Sequence, residues 1–367
     1  MNNRERTMAI LNYQNYDRLP VVHFAFWDET VVKWNEEGHI TAEEARDHNV
    51  IARKLGFDFD YFTNAMPTTG MNALYPPFKP EVIEELPDGS QKVLDDFGAV
   101  LLKKAGATGI PHEFDHLLKD RATWEEHYKP RLVFSEQYID KKALDVLKDD
   151  SQRDQPIGLY CGSLIGEIRN CLGMVGLSYL TVDDPDLLEE IIQTYADLYY
   201  KVVEYSLAYG AKFDFGHFWE DICYKNGPLV TPSFFRKKVG PHYKRITGLL
   251  NQSGIKIVSL DCDGKIDALI PTWLENGVNT MFPIEVGTWE ASIQPWREKY
   301  GRQIRGVGGM DKKVFAYDFK AIDAEIERLA PLVALGGFIP CPDHRLPPNA
   351  VWENVQYYCE RMHQVFG

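Results

Sequence analysis

Short apolar runs alternate with longer amphipathic stretches along most of this chain. Runs at 21–26, 57–62, 157–161, 213–217, 255–260, 278–282, 304–307 and 336–339 are rich in β-branched and aromatic residues, as buried strands are. Stretches of helical spacing lie between most of them. Residues 186–209 put Leu187, Leu188, Ile191, Ile192 and Tyr195 on one face, and residues 231–252, 265–275, 321–335 and 351–366 read the same way. Residues 41–55 open on Thr41 with Glu44 three places on, a helix-start pattern. Residues 3–11 read as a short helix with Met8 and Leu11 on one face. Strands alternating with helices predict parallel βαβ units, and eight of them favour a (β/α)8 TIM barrel over a doubly wound sheet.

The rhythm breaks between about residues 64 and 155, where Pro67, Pro76, Pro77, Pro80, Pro87 and Pro111 punctuate the chain. Residues 91–94 and 99–103 are predicted as antiparallel strands joined around Asp95, Asp96, Phe97 and Gly98. The reading is one domain over residues 1–367, a barrel with an N-terminal extension and a long β-containing insertion near its mouth. Such a loop region suits substrate selection.

With 44% hydrophobic and 26% charged residues the chain has ordinary globular composition. A net charge of −14 argues against broad nucleic-acid binding, which needs a basic footprint, but not against an anionic ligand held by local arginines. No apolar run reaches the length of a membrane span. No secretory leader is visible in MNNRERTMAIL, and the six scattered cysteines form no CxxC pair. A reducing cytoplasm is the simplest setting. No glycine-rich dinucleotide or phosphate-loop motif occurs.

Chemistry concentrates where the predicted strands end, and in a barrel that is where sites are built. Residues 258–264, VSLDCDG, close the fifth strand with Asp261 and Asp263 on one face and Cys262 on the other. Two inward carboxylates need a cation, an arginine or a shared proton; equally, aspartates there can cap the following helix. Residues 217–220, HFWE, offer His217 and Glu220 as ligands or proton carriers, and Phe218 and Trp219 as stacking or packing groups. Glu285 closes the sixth strand. Cys341, Asp343 and His344 close the eighth, and a thiolate, a carboxylate and an imidazole make plausible zinc ligands. Cys341 can also be a small buried hydrophobe. Arg345 and the pair Pro347 and Pro348 read as a stiff loop. The glycines at 306, 308 and 309 after the seventh strand suit a phosphate site or, more plainly, a tight turn.

The opening NRERTMAILNYQNYDRLPV, the segment FWEDICYKNGPLVTPSFFRKKVGPHYKRI, the segment VSLDCDGKIDALIPTWLENGVNTMFPIE and the closing GGFIPCPDHRLPPNAVWENVQYY together resemble the uroporphyrinogen decarboxylase superfamily over essentially the whole chain. The resemblance implies a (β/α)8 barrel with its site at the C-terminal mouth. The true decarboxylase branch carries early arginines that hold substrate carboxylates. Here residues 22–29, VHFAFWDE, have none, and an aromatic, acidic segment is electrostatically wrong for a polycarboxylate.

The chain is more similar to the corrinoid-dependent methyltransferase branch, whose zinc is held by a His-x-Cys after the fifth strand and a Cys after the eighth. Carried over, Asp261 stands at the histidine position, Asp263 at the first cysteine, and Cys341 at or next to the second. This departure resembles the first methyltransferases of O-demethylase systems. The resemblance implies methyl transfer from a small donor, an aryl methyl ether, to the cobalt of a corrinoid (cobalamin) on a separate corrinoid protein. Zinc would be held among Asp261, Asp263, Glu220 and Cys341. Glu220, Asp263 or His344 would act as acid, and Phe26, Trp27, His217 and Trp219 would build the substrate pocket. Barrels of the superfamily often pair, so a homodimer is allowed. The alternatives are a decarboxylase-like lyase using Asp58 or Asp60 in a cleft lined by Arg302, Arg305 and Arg345, and a non-catalytic ligand-binding barrel.

Overall fold

The computed structural model describes residues 1–61, 64–65, 67–69, 72–104 and 111–367. Its strands are β1 (Val22–His23), β2 (Phe59–Asp60), β3 (Asn64–Ala65), β4 (Glu81–Glu85), β5 (Gln91–Leu94), β6 (Ala99–Lys103), β7 (His112–His116), β8 (Gly158–Tyr160), β9 (Phe215–Trp219), β10 (Cys223–Tyr224), β11 (Gly227–Pro228), β12 (Val258–Asp261), β13 (Thr280–Ile284), β14 (Arg305–Met310) and β15 (Phe338–Pro342). Seven form one parallel sheet in the order β15-β14-β13-β12-β9-β8-β3. Each of these strands lies beside the next one in the chain, the winding expected of a barrel rather than of a sheet that reverses direction.

β1 and β2 pair in parallel as a separate two-stranded sheet. A parallel bridge between Phe26 and Leu346 ties the segment after β1 to the segment after β15. Its hydrogen bonds run from Trp27 N to Leu346 O (3.2 Å) and from Leu346 N to Ala25 O (3.3 Å). The pairing described therefore approaches a barrel without forming one closed hydrogen-bonded ring.

Strands β8, β9 and β12 to β15 of the parallel sheet are buried on both faces, as the near-continuous apolar runs require. Most start later than the apolar runs do. Ile255 and Ile257 are buried but belong to a connection: Gly254 adopts φ 85° after the helix Gly240–Gln252, and Ile255 N closes back on Leu250 O (2.9 Å). β9 likewise runs on to Trp219 rather than stopping at His217.

The helix expected over 41–55 is broken. Thr41 and Glu44 do exchange hydrogen bonds (2.8 and 3.2 Å), but the turn they start is a 3-10 turn, Glu44–Arg46. Asp47 then leaves helical geometry and caps a new helix, His48–Leu55. Residues 231–252 also divide, with a π-turn, Phe235–Val239, between Pro232–Phe234 and Gly240–Gln252. Helices Asp28–Glu36, Gly166–Asp183 and Ile293–Tyr300 join those the sequence predicted.

Within the irregular region, the antiparallel strands around 95–98 are β5 and β6, with Leu94 opposite Val100 and Gln91 opposite Lys103. Asp95 makes the turn by accepting from Phe97 N (3.0 Å) and Ala99 N (2.8 Å). β4 and β7 complete a four-stranded antiparallel sheet. Residues 62–63, 66, 70–71 and 105–110 of the predicted strand and insertion lie outside the described residues. Among the described residues no helix is long and apolar enough to cross a membrane.

Candidate active site

Trp219, Asp261 and Phe282 stand side by side at one level of the sheet, in the register of β9, β12 and β13. Alternation along β9 puts Phe215, His217 and Trp219 on the inner face. Phe218 turns to the helix side, where its ring lies 4.3 Å from that of Tyr243. The His217 ring is 6.3 Å from Phe215 and 6.2 Å from Phe282, and burial pushes its pKa down to about 3, so the imidazole is neutral. It forms an aromatic floor under the row.

Asp261 points inward from the end of β12 and is 5% exposed. Cys262 points the other way, accepting from Ile222 N at 3.4 Å. The Asp261 carboxyl is pushed well above the carboxylate range by burial, then by the carboxylates of Asp263, Asp221 and Glu285, and Arg345 partly relieves it. Asp221 is raised by burial and by Asp263, and eased by Arg169 at 3.7 Å and by His344. Glu285 is raised by burial and by Asp263 while accepting from Gly264 N (2.5 Å) and Thr288 Oγ1 (2.9 Å). Four carboxylates thus converge at the ends of β9, β12 and β13, where burial and mutual repulsion disfavour full ionisation.

Cations on indoles flank this acidic centre. His344 Nε2 is 3.4 Å from Asp263 Oδ2. Its ring stacks on Trp27 (5.6 Å, 21°) and meets Phe24 edge-on (5.4 Å). Arg345 lies over Trp27 at 5.2 Å and Arg169 over Trp219 at 5.8 Å. Asp263, His344, Trp27 and Trp219 all remain partly exposed.

The structure brings Asp261, Asp263, His344, Trp27, Trp219 and His217 to this group, and it sets Glu220, Phe26 and Cys341 elsewhere. Glu220 is wholly buried on the helix side. It accepts from the backbone N–H groups of Leu164 (2.9 Å), Ile165 (2.8 Å) and Gly166 (2.7 Å), from Ser163 Oγ (3.2 Å) and from the Tyr243 hydroxyl. Those donors are the free amides at the start of the helix Gly166–Asp183, where a carboxylate is favourable. A Cβ on Gly166 would stand 2.1 Å from Glu220 O, so only glycine allows this approach. Phe26 packs outward on His23 (4.9 Å), His48 (5.4 Å) and Trp34 (5.7 Å). Cys341 is wholly buried, its thiol raised by burial and by Asp60 and Asp343.

The four residues proposed to hold zinc are therefore divided. Among the described residues no three His, Cys, Asp or Glu side chains are placed to share one ion. This arrangement does not fit a four-ligand zinc site.

The glycines expected after the seventh strand lie within β14 and serve packing, since a Cβ on Gly308 (φ 121°) would lie 2.3 Å from Ile284 N. Asp58 is held by Arg18 (2.7 and 2.8 Å) and Val21 N (2.8 Å), away from the mouth. Arg305 opens β14 and Arg302 precedes it, at the opposite end of the strands, so the arginine-lined cleft of the lyase alternative does not form.

Asp221 and Arg169 escaped sequence reasoning, and Arg345 entered it only as part of a stiff loop and of the cleft of the lyase alternative. Counting alternate positions from Phe215 past Trp219 passes over Glu220 and reaches Asp221, so the signal for Asp221 was present.

The chain is similar in structure to a methyltransferase from Methanosarcina mazei, with TM-score 0.60, 14% identity and 99% of both chains covered. It is less similar to a B12-independent methionine synthase from a Shewanella species solved with selenomethionine, with TM-score 0.46, 12% identity, and 95% and 98% of the two chains covered. At such identities the likeness to the first is one of fold. No protein-family profile matches the chain, and no curated protein matches its sequence.

Proposed function

We propose that this protein is a methyltransferase that takes a methyl group from a small aryl methyl ether, using Asp261 as the acid. The observation that carries this is the burial of Asp261 among Asp221, Asp263 and Glu285, which pushes its carboxyl well above the carboxylate range and so favours the protonated form an acid needs. Breaking the bond between methyl carbon and ether oxygen leaves the electron pair on oxygen. A carboxylic acid in reach delivers a proton there, so a neutral phenol leaves instead of a phenolate. Trp27, Trp219 and Phe24 supply flat apolar walls for an aromatic ring. Asp263 and His344 hold each other in place beside them.

A corrinoid on a separate protein would supply the nucleophile for the methyl carbon, and the partly exposed rim of Asp263, His344 and Trp27 leaves the approach open. The likeness in fold to a methyltransferase supports the reading. So does the sheet order, which we take as a (β/α)8 barrel domain spanning the chain with residues 64–155 as its insertion. All six cysteines are free and buried, in keeping with a reducing cytoplasm.

The test is to mix the protein with a panel of methoxyarenes and cob(I)alamin and to follow phenol release together with methylation of the cobalt. Wild type should turn over, and Asp261→Asn should lose about two orders of magnitude or more. Absence of phenol from every methoxyarene with wild type would rule out the ether donor, and full activity in Asp261→Asn would rule out the acid.

A further inference from the structure

Three arginines crowd one tyrosine at the far end of the strands from the carboxylates. Tyr13 follows the helix Asn3–Leu11 in the left-handed region (φ 57°), and its hydroxyl donates to Ile304 O at 2.6 Å. The guanidinium carbons of Arg297, Arg302 and Arg305 stand 4.7, 5.3 and 5.3 Å from the centre of its ring.

Two of the three have structural work. Arg297 donates to the carbonyls of Leu335 (3.0 Å) and Gly336 (2.8 Å), just past the helix Phe319–Ala334. Arg305 donates to Leu11 O, where the first helix ends, and to Gln303 O (3.3 Å). Cations at helix C-termini are favourable, and these contacts account for both side chains.

Arg302 has no such work. It is exposed and makes no hydrogen bond or ion pair among the described residues. It adds a charge that disfavours the half-buried charge already on Arg297, whose Nε is buried with no hydrogen-bond partner. No carboxylate among the described residues pairs with any of the three. The chain holds 54 acidic residues against 40 basic ones, so a group of three unpaired guanidiniums runs against its composition. A cation added to two others is unfavourable unless an anion sits among them.

We propose that Arg302, backed by Arg297 and Arg305, binds a phosphate-type oxyanion at the N-terminal end of the strands, independently of the methyl-transfer site. A multiply charged tetrahedral group matches forked guanidinium donors, and it balances the excess charge where a single carboxylate would leave most of it. The group could be free phosphate or the phosphate of a monoester.

Calorimetric titration of the full chain at constant ionic strength, with inorganic phosphate, pyrophosphate and glycerol phosphate in turn, tests this. Wild type should show saturable one-to-one binding, and Arg302→Gln should weaken it at least tenfold. Arg345→Gln, at the other end of the strands, should leave it unchanged. Arg302 makes no bonds that hold the fold, so its variant should melt at the wild-type temperature in phosphate-free buffer. Tighter binding of glycerol phosphate than of inorganic phosphate would support a monoester as occupant, and the reverse order a free anion. No saturable binding of any of the three by wild type, or equal binding by Arg302→Gln, would overturn the proposal.

Discussion

The carboxylate of Asp263 stands 3.4 Å from Nε2 of His344, joining the segment after β12 to the segment after β15 across the carboxylate cluster. Both side chains are partly exposed, so water screens the pair and its contribution to stability is at most about 1 kcal/mol. Its value lies in position: His344 also carries the stack on Trp27. Asp263→Asn and His344→Ala should each leave the urea midpoint nearly unchanged and lower kcat/KM for methyl transfer roughly tenfold to a hundredfold. A large loss of stability with unaltered turnover in the surviving folded protein would show the pair to be a structural tie only.

Glu220 should behave in the opposite way. Its carboxylate accepts from three backbone amides and two hydroxyls, so Glu220→Ala leaves buried donors without partners. The expected cost is about 3 kcal/mol or more, seen as a lower denaturation midpoint. An inactive Glu220→Ala protein of wild-type stability would mean that Glu220 does chemistry.

A buried glutamate near the irregular region gives a pH signature. Glu167 accepts from Ala73 N (3.0 Å), Tyr160 (3.2 Å) and Tyr199, with Tyr138 and the Glu220 carboxylate also near, and burial raises its pKa from 4.5 to about 7. The folded protein then keeps a proton that the unfolded chain releases near pH 4.5. Between those values the folded state binds more protons, and this group's contribution to stability falls as pH rises, by about 3 kcal/mol at most. The fall is complete above pH 7. Glu167→Gln should flatten the stability profile between pH 5 and 8, and parallel profiles for the two proteins would contradict the assignment.

Much of the site was legible because alternation on a strand is a local rule. It put Asp261 and Asp263 on one face and Cys262 on the other, and that is how they lie. Glu220 reads as a site residue by its type alone; the same rule, counted along β9 to Trp219, turns Glu220 outward and Asp221 inward. Phe26 looked like a pocket residue from its aromatic neighbours, but the bridge to Leu346 fixes its ring on the helix side. The expected zinc ligands needed distances between strands, which spacing along a chain does not contain. Arg345 read as part of a stiff loop, since nothing local reveals that it lies over Trp27 and eases the charge on Asp261.

That last relationship predicts a movement in the pH–rate profile. Methyl transfer by the proposed route needs Asp261 protonated, so activity should fall as pH rises through its pKa. Arg345 is a cation that favours the ionised form and holds that pKa below where burial and the three neighbouring carboxylates would set it. Arg345→Gln removes the cation, so the alkaline limb should move to higher pH. Lys at the same position keeps the charge and should keep the limb near that of wild type. Asp221→Asn removes a neighbouring negative charge and should move the limb the other way, to lower pH. Profiles of kcat for the three variants, measured with one methoxyarene, check the sign of each shift. Movement of the limb to lower pH in Arg345→Gln would show that the proton-carrying group is not Asp261.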